Sequence, residues 1–144
     1  MRRRIAIFGL AMLITPALAA PMAPPGQELT PDQFRTMVVG KTIEVDSTDT
    51  AVRTSAVGKY GPDGTLEMDM VTGGKANKRQ HIHTSETWML RGNRVCSTNT
   101  TSGYTRCVIF RRVADHFVEV NEDGTLHATV TPVHSPAPAL SATP

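Results

Sequence analysis

The sequence predicts a mainly β protein: an antiparallel meander of about eight strands, forming a small lipocalin-like barrel or a curved sheet, with one short N-terminal helix. Three observations carry this. From residue 41 onward, apolar and polar side chains alternate in short runs, the period of a strand with one buried face. The runs are broken by turn chemistry at Gly61-Pro62-Asp63-Gly64, Gly73-Gly74, Gly92-Asn93, residues 99–103 and Glu122-Asp123-Gly124, breaks too short for crossovers, so neighbours should pair antiparallel. Finally, the two cysteines of the chain, Cys96 and Cys107, flank the polar run that ends in Ser102-Gly103-Tyr104.

Residues 1–19 have the layout of a secretory signal peptide: Arg2, Arg3 and Arg4, an apolar run from Ile5 to Ile14, Pro16, then the small pair Ala17 and Ala19 before the expected cut. The apolar run is shorter than the roughly 20 residues a membrane span needs. A periplasmic or secreted protein is therefore expected. Removing the signal takes three of fifteen basic residues and none of thirteen acidic ones, so the net charge of +2 becomes −1. Residues 20–29 form a Pro-rich arm and residues 132–144 a Pro/Ala tail, both expected to be mobile.

A single β domain is expected over residues 30–131, of a size at which about two-thirds of the unfolded chain's surface can be buried. It opens with a helix over residues 31–39. Thr30 is the N-cap, Pro31 takes the first helical position, Gln33 completes a capping box and Gly40 stops the helix. Strands follow at 41–47, 51–60, 65–72, 80–91, 94–98, 104–113, 116–121 and 125–131. Asp-Gly-Thr-Leu occurs at 63–66 and again at 123–126, which reads as one turn-then-strand solution used twice, with Leu beginning the inward face.

If residues 99–103 are a hairpin tip, Cys96 falls opposite Cys107 at a separation that a disulfide spans. Closing that loop contributes about 3 kcal/mol in the chain-entropy account. An exported protein meets an oxidising environment, and the spacing is not that of a redox or zinc pair.

Candidate sites come from alternation. Glu67, Asp69, His81 and His83 should share an outward patch if their strands pair, which reads either as a zinc or copper site or as a row of cross-strand charge pairs. Residues 73–112 hold eight basic side chains and one acidic, between two acidic blocks. Within that band Lys75, Lys78, Arg79, Arg91, Arg94 and Arg106 are candidates for an anionic envelope surface; the alternative is neutralisation by acidic neighbours in the sheet. Tyr60, Met68, Met70, Trp88 and Met89 are candidate lining for a small apolar ligand if the barrel is hollow, although small barrels are usually filled. Nucleic acid is not an expected partner, because the mature charge is near neutral and only 5% of residues are aromatic. The sequence has no G-x-S-x-G, H-E-x-x-H or phosphate-binding glycine loop, so neither a catalytic centre nor a cofactor is expected.

The segments "YGPDGT", "TWMLRGNRVCSTNT" and "GYTRCVIF" resemble a family of small proteobacterial periplasmic β proteins of unknown function, with a Tyr-x-Pro-Asp-Gly-Thr turn, a Trp before Gly-Asn, and two cysteines. The likeness covers roughly residues 40–131 and implies a fold and a compartment for this chain, carried by Tyr60, Pro62, Asp63, Gly64, Trp88, Gly92, Asn93, Cys96 and Cys107. The expectation is an exported β domain with a non-catalytic binding or structural role. A small-barrel protease inhibitor acting through its N-terminal arm, and a metal-binding protein using His81 and His83, are the alternatives.

Overall fold

The computed structural model describes residues 20–48, 53–73 and 79–133; the expected signal peptide, nearly all of the Pro/Ala tail, Lys75 and Lys78 lie outside the described residues. A two-residue strand, β1 (Gln27–Glu28), leads into helix α1 (Pro31–Met37). Thr30 Oγ1 accepts from Gln33 N and Gln33 Oε1 from Thr30 N, so the capping box forms as its residues predict. The helix ends two residues short of the expected Val39, at the tighter turn that leads to Gly40.

Eight strands follow: β2 (Thr42–Ser47), β3 (Arg53–Tyr60), β4 (Thr65–Gly73), β5 (Arg79–Arg91), β6 (Arg94–Asn99), β7 (Thr105–Val113), β8 (His116–Val120) and β9 (Leu126–Pro132). Each pairs antiparallel with its successor, and β9 returns to pair with β2, so the sheet closes into an eight-stranded up-and-down barrel. Closure removes the long free edges that an open meander would leave.

Both copies of Asp-Gly-Thr build the same turn. Gly64 and Gly124 have φ of +87° and +83°, a region costly for residues with a Cβ. Asp63 Oδ1 accepts from Thr65 N and Oγ1, and Asp123 Oδ1 accepts from Thr125 N and Oγ1. The Leu residues then part company. Leu66 is fully buried, whereas a β-bulge separates the Glu119–Ala128 pair from the Val120–Leu126 pair. The extra residue on β9 is His127, and Leu126 is set beside outward-facing Val120 instead of opening the inward face.

Helix α1 plugs one end of the barrel. Phe34, 1% exposed, packs edge-to-face on Tyr60, Trp88 and Phe110 with ring centroids 4.9–5.5 Å apart. Trp88 Nε1 donates to Gly61 O at 2.9 Å, which satisfies the polar atom of the largest ring. Leu29, Val38, Ile43 and Leu66 belong to the buried cluster around this plug, with Val95, Val108, Phe117 and Val130.

Cys96 and Cys107 are register partners on β6 and β7 and form a disulfide, with Cα atoms 4.0 Å apart. The tip beyond it is organised by Asn99, whose Oδ1 accepts from Thr101 N, Ser102 N and Ser102 Oγ. A disulfide at this position is compatible with an oxidising, exported location.

The Pro-rich arm is tied down where mobility was expected. Leu126 N donates to Pro21 O, Ala23 N donates to Gly124 O, and β1 pairs with β7 at Arg111 and Arg112. β8 lies between the strands that carry these ties, and its outward Val118 and Val120 are each only 1% exposed. Prolines remove donors but leave carbonyls, and here the arm is held by short backbone ladders at its ends.

Candidate functional site

A small barrel is ordinarily filled by its inward side chains. Several inward positions here are short: Ser47, Thr54, Ala56 and Ala128. They leave a cavity of about 200 Å³ in the barrel interior, on the side of Tyr60 away from helix α1. Ile43, Val45, Met68 and Met70 make its apolar wall. Ser47, Thr54, Met70 and His127 lie toward the strand ends remote from the helix, and these half-buried residues form its rim.

The same cavity holds a group of polar side chains from five strands: Tyr60 on β3, Glu86 on β5, Arg106 on β7, Glu119 on β8 and His127 on β9. Glu119 is 2% exposed. Its Oε2 lies 3.8 Å from Arg106 Nη2 and 3.9 Å from His127 Nε2, and neither distance is a hydrogen bond. Arg106 Nη1 instead donates to His127 Nε2 at 2.5 Å. A guanidinium can only donate, so Nε2 offers its lone pair and the ring proton sits on Nδ1. Glu119 Oε2 and Arg106 Nε are left buried with no hydrogen-bond partner among the described residues.

Burial pushes the Glu119 carboxyl above the ordinary glutamate value; the Arg106 guanidinium opposes this, the Glu86 carboxylate adds to it, and a hydrogen bond from Tyr60 opposes it again. The Tyr60 hydroxyl is pushed well above its ordinary value, first by burial and then by the neighbouring Glu119 charge. Both shifts describe one arrangement: a buried phenol beside a buried carboxylate, with the helix plug on the other side of the phenol ring.

The residues singled out from the sequence divide between the two faces. Tyr60, Met68 and Met70 line the cavity as expected. Trp88 faces inward but belongs to the aromatic plug below the cavity, and Met89 is a correction: it pairs with Cys96 on the outer face and is 53% exposed. Adjacent strand residues cannot share a face, so Trp88 inward sends Met89 out.

On the outer face β4 and β5 bring the expected patch together. His83 Nδ1 lies 2.8 Å from Asp69 Oδ1 and its Nε2 lies 3.1 Å from Glu67 Oε2. The hydrogen bond to Asp69 raises the imidazole above its ordinary value; desolvation opposes it, and the Asp69 and Glu67 charges add to it. A carboxylate at each ring nitrogen favours the protonated form, whereas a metal ligand must offer a free nitrogen lone pair. His81 sits further along β5 opposite Val71, and no group of three or more ligating side chains among the described residues is placed to hold a metal ion.

Among the described residues, the basic band does not form one surface. Arg106 points into the barrel, Arg94 pairs with Glu122, and Arg111, outside the candidate set, pairs with Glu28. Arg79 and Arg91 are exposed on β5. The acidic partners come from both flanking acidic blocks, so the neutralisation alternative describes Arg94 and Arg111.

Glu86, Glu119 and His127 were not among the candidates. One signal for Glu119 was present, a carboxylate inside the apolar run "HFVEV". No family model, curated protein or solved structure matches the chain. Among the described residues no helix is long and apolar enough to cross a membrane.

Proposed function

We propose that the protein is an exported, periplasmic, non-catalytic binding barrel that takes a small ligand into its interior. The observation that carries this reading is the cavity of about 200 Å³, with an apolar wall and a few polar groups placed at its side. An engineered cavity of about 150 Å³ in another protein holds benzene, so a ligand of that order of size fits. A mostly apolar concavity with a few convergent polar groups is the ordinary form of a ligand site, and this one is smaller than the roughly 300 Å³ at which drug-sized pockets begin, which limits the ligand to a few heavy atoms. The disulfide and the signal-like start of the chain support export. Both thiols are consumed in the disulfide, which leaves no cysteine nucleophile. The inhibitor alternative has less support, because the arm it would insert into a protease is bonded along the barrel.

Native mass spectrometry of protein isolated from its own host, without denaturation, tests this. The expected result is a small added mass that is absent from an Ala56→Leu variant, whose extra side-chain atoms occupy the cavity. Recovery of the bare chain mass alone, or an added mass that Ala56→Leu retains, overturns it.

A further inference from the structure

The charges inside the barrel do not balance. Among the described residues lining the cavity, Glu86 and Glu119 are acidic and Arg106 is the one fixed cation. His127 is not counted as a second cation, since its Nε2 faces Arg106 as an acceptor. Arg106 is shared rather than committed to Glu119: it reaches His127 at 2.5 Å while its closest approach to the Glu119 carboxylate is 3.8 Å. Glu119, almost wholly buried, keeps one oxygen with no hydrogen-bond partner. An uncompensated carboxylate in such surroundings costs free energy unless it is protonated or meets a positive charge.

Resting on the reading of the interior as a ligand site, we infer that the ligand is a small organic ammonium ion, with an apolar body against Ile43, Val45 and Met68 and its N–H donors directed to the Glu119 and Glu86 carboxylates. One positive charge from the ligand closes the balance of the two carboxylates and one guanidinium. An anionic ligand would place a third negative group beside the single guanidinium. A bare metal cation would leave the apolar wall without a partner, and hard cations need more oxygen ligands than two carboxylates supply. A neutral ligand satisfies hydrogen bonds and leaves the charge excess where it was. The raised carboxyl of Glu119 agrees with this geometry: Glu86 adds to the shift and Arg106 only partly offsets it.

Three probes of matched size separate the possibilities: n-butylammonium, 1-butanol and butyrate, each titrated at neutral pH into the whole protein and followed through its backbone amide resonances. The expected result is that n-butylammonium shifts the amides of Ala56, Met70 and Ala128 and binds at least tenfold more tightly than 1-butanol, with butyrate weakest. Glu119→Gln should bring the ammonium probe down to the affinity of the alcohol. Glu86→Gln, at a half-buried position, should do the same and supplies the test if the first variant does not fold. Equal binding of alcohol and ammonium, or tightest binding by butyrate, overturns the charge selection and leaves the interior site standing. Ammonium shifts confined to the outer face around Glu67 and Asp69 overturn the charge selection as well. If none of the three probes moves the cavity amides, the interior site falls with it.

Discussion

Glu119 stands where a carboxylate is expensive: 2% exposed, one oxygen without a partner, and a second carboxylate lining the same cavity. A carboxyl whose native value is raised takes up a proton more readily folded than unfolded. Its stabilising contribution is therefore complete below the unfolded value and is lost as pH rises through the folded one. Glu119→Gln should accordingly stabilise the ligand-free protein at pH 7, by on the order of 1 kcal/mol. The gain should shrink as the pH falls into the ordinary glutamate range. Urea unfolding at pH 7 and at pH 4 reads this directly; a variant less stable than the wild type at pH 7 would show that the Arg106–Glu119 attraction outweighs the burial cost. Glu119 and His127 do not stand out as site residues in the sequence. In "HFVEV" three apolar residues surround a single charge, and alternation puts Val118 and Val120 on one face and Phe117 with Glu119 on the other, so the more apolar face is the one that turns outward beneath the N-terminal arm. His127 was hidden for a different reason: only the bulge between β8 and β9 turns it inward, and that bulge is a property of register, not of composition.

At the level of elements, most of the architecture was written in local chemistry. All eight predicted strands form, with ends shifted by two residues at most, because their limits are set by glycines, Asx side chains and the Asn93 turn, which act over two to four positions. The capping box and the cysteine pairing are local in the same way. The arm was misjudged because its order comes from distant partners, Thr125 at one end and Arg111 and Arg112 at the other. The β6–β7 hairpin permits a quantitative test. The Cys96→Ser, Cys107→Ser double variant should lose about 3 kcal/mol of stability. For a domain of this size that is a fall in melting temperature of roughly 10 °C. Calorimetry of the two proteins under oxidising conditions measures it. A loss near zero would mean that the Asn99-centred tip and the ladder already hold the hairpin closed.

Across the whole molecule, the acidic and basic blocks of the sequence fold onto one another. Glu28 from the first block and Glu119 and Glu122 from the last meet Arg111, Arg106 and Arg94 of the middle one. Two of these contacts lie at the surface and contribute little each, while the third lies inside the barrel and shapes the cavity. The helix closes one end with four aromatic rings, and Tyr60 joins that plug to the polar group above it. Binding inside the barrel requires a hollow interior. A crystal of the protein pressurised with xenon tests this most directly, because xenon enters apolar voids of this size. The prediction is a xenon peak inside the barrel between Ile43, Met68 and Ala128, lost in Ala56→Leu; an interior without xenon, filled by Met68 and Met70, would contradict it.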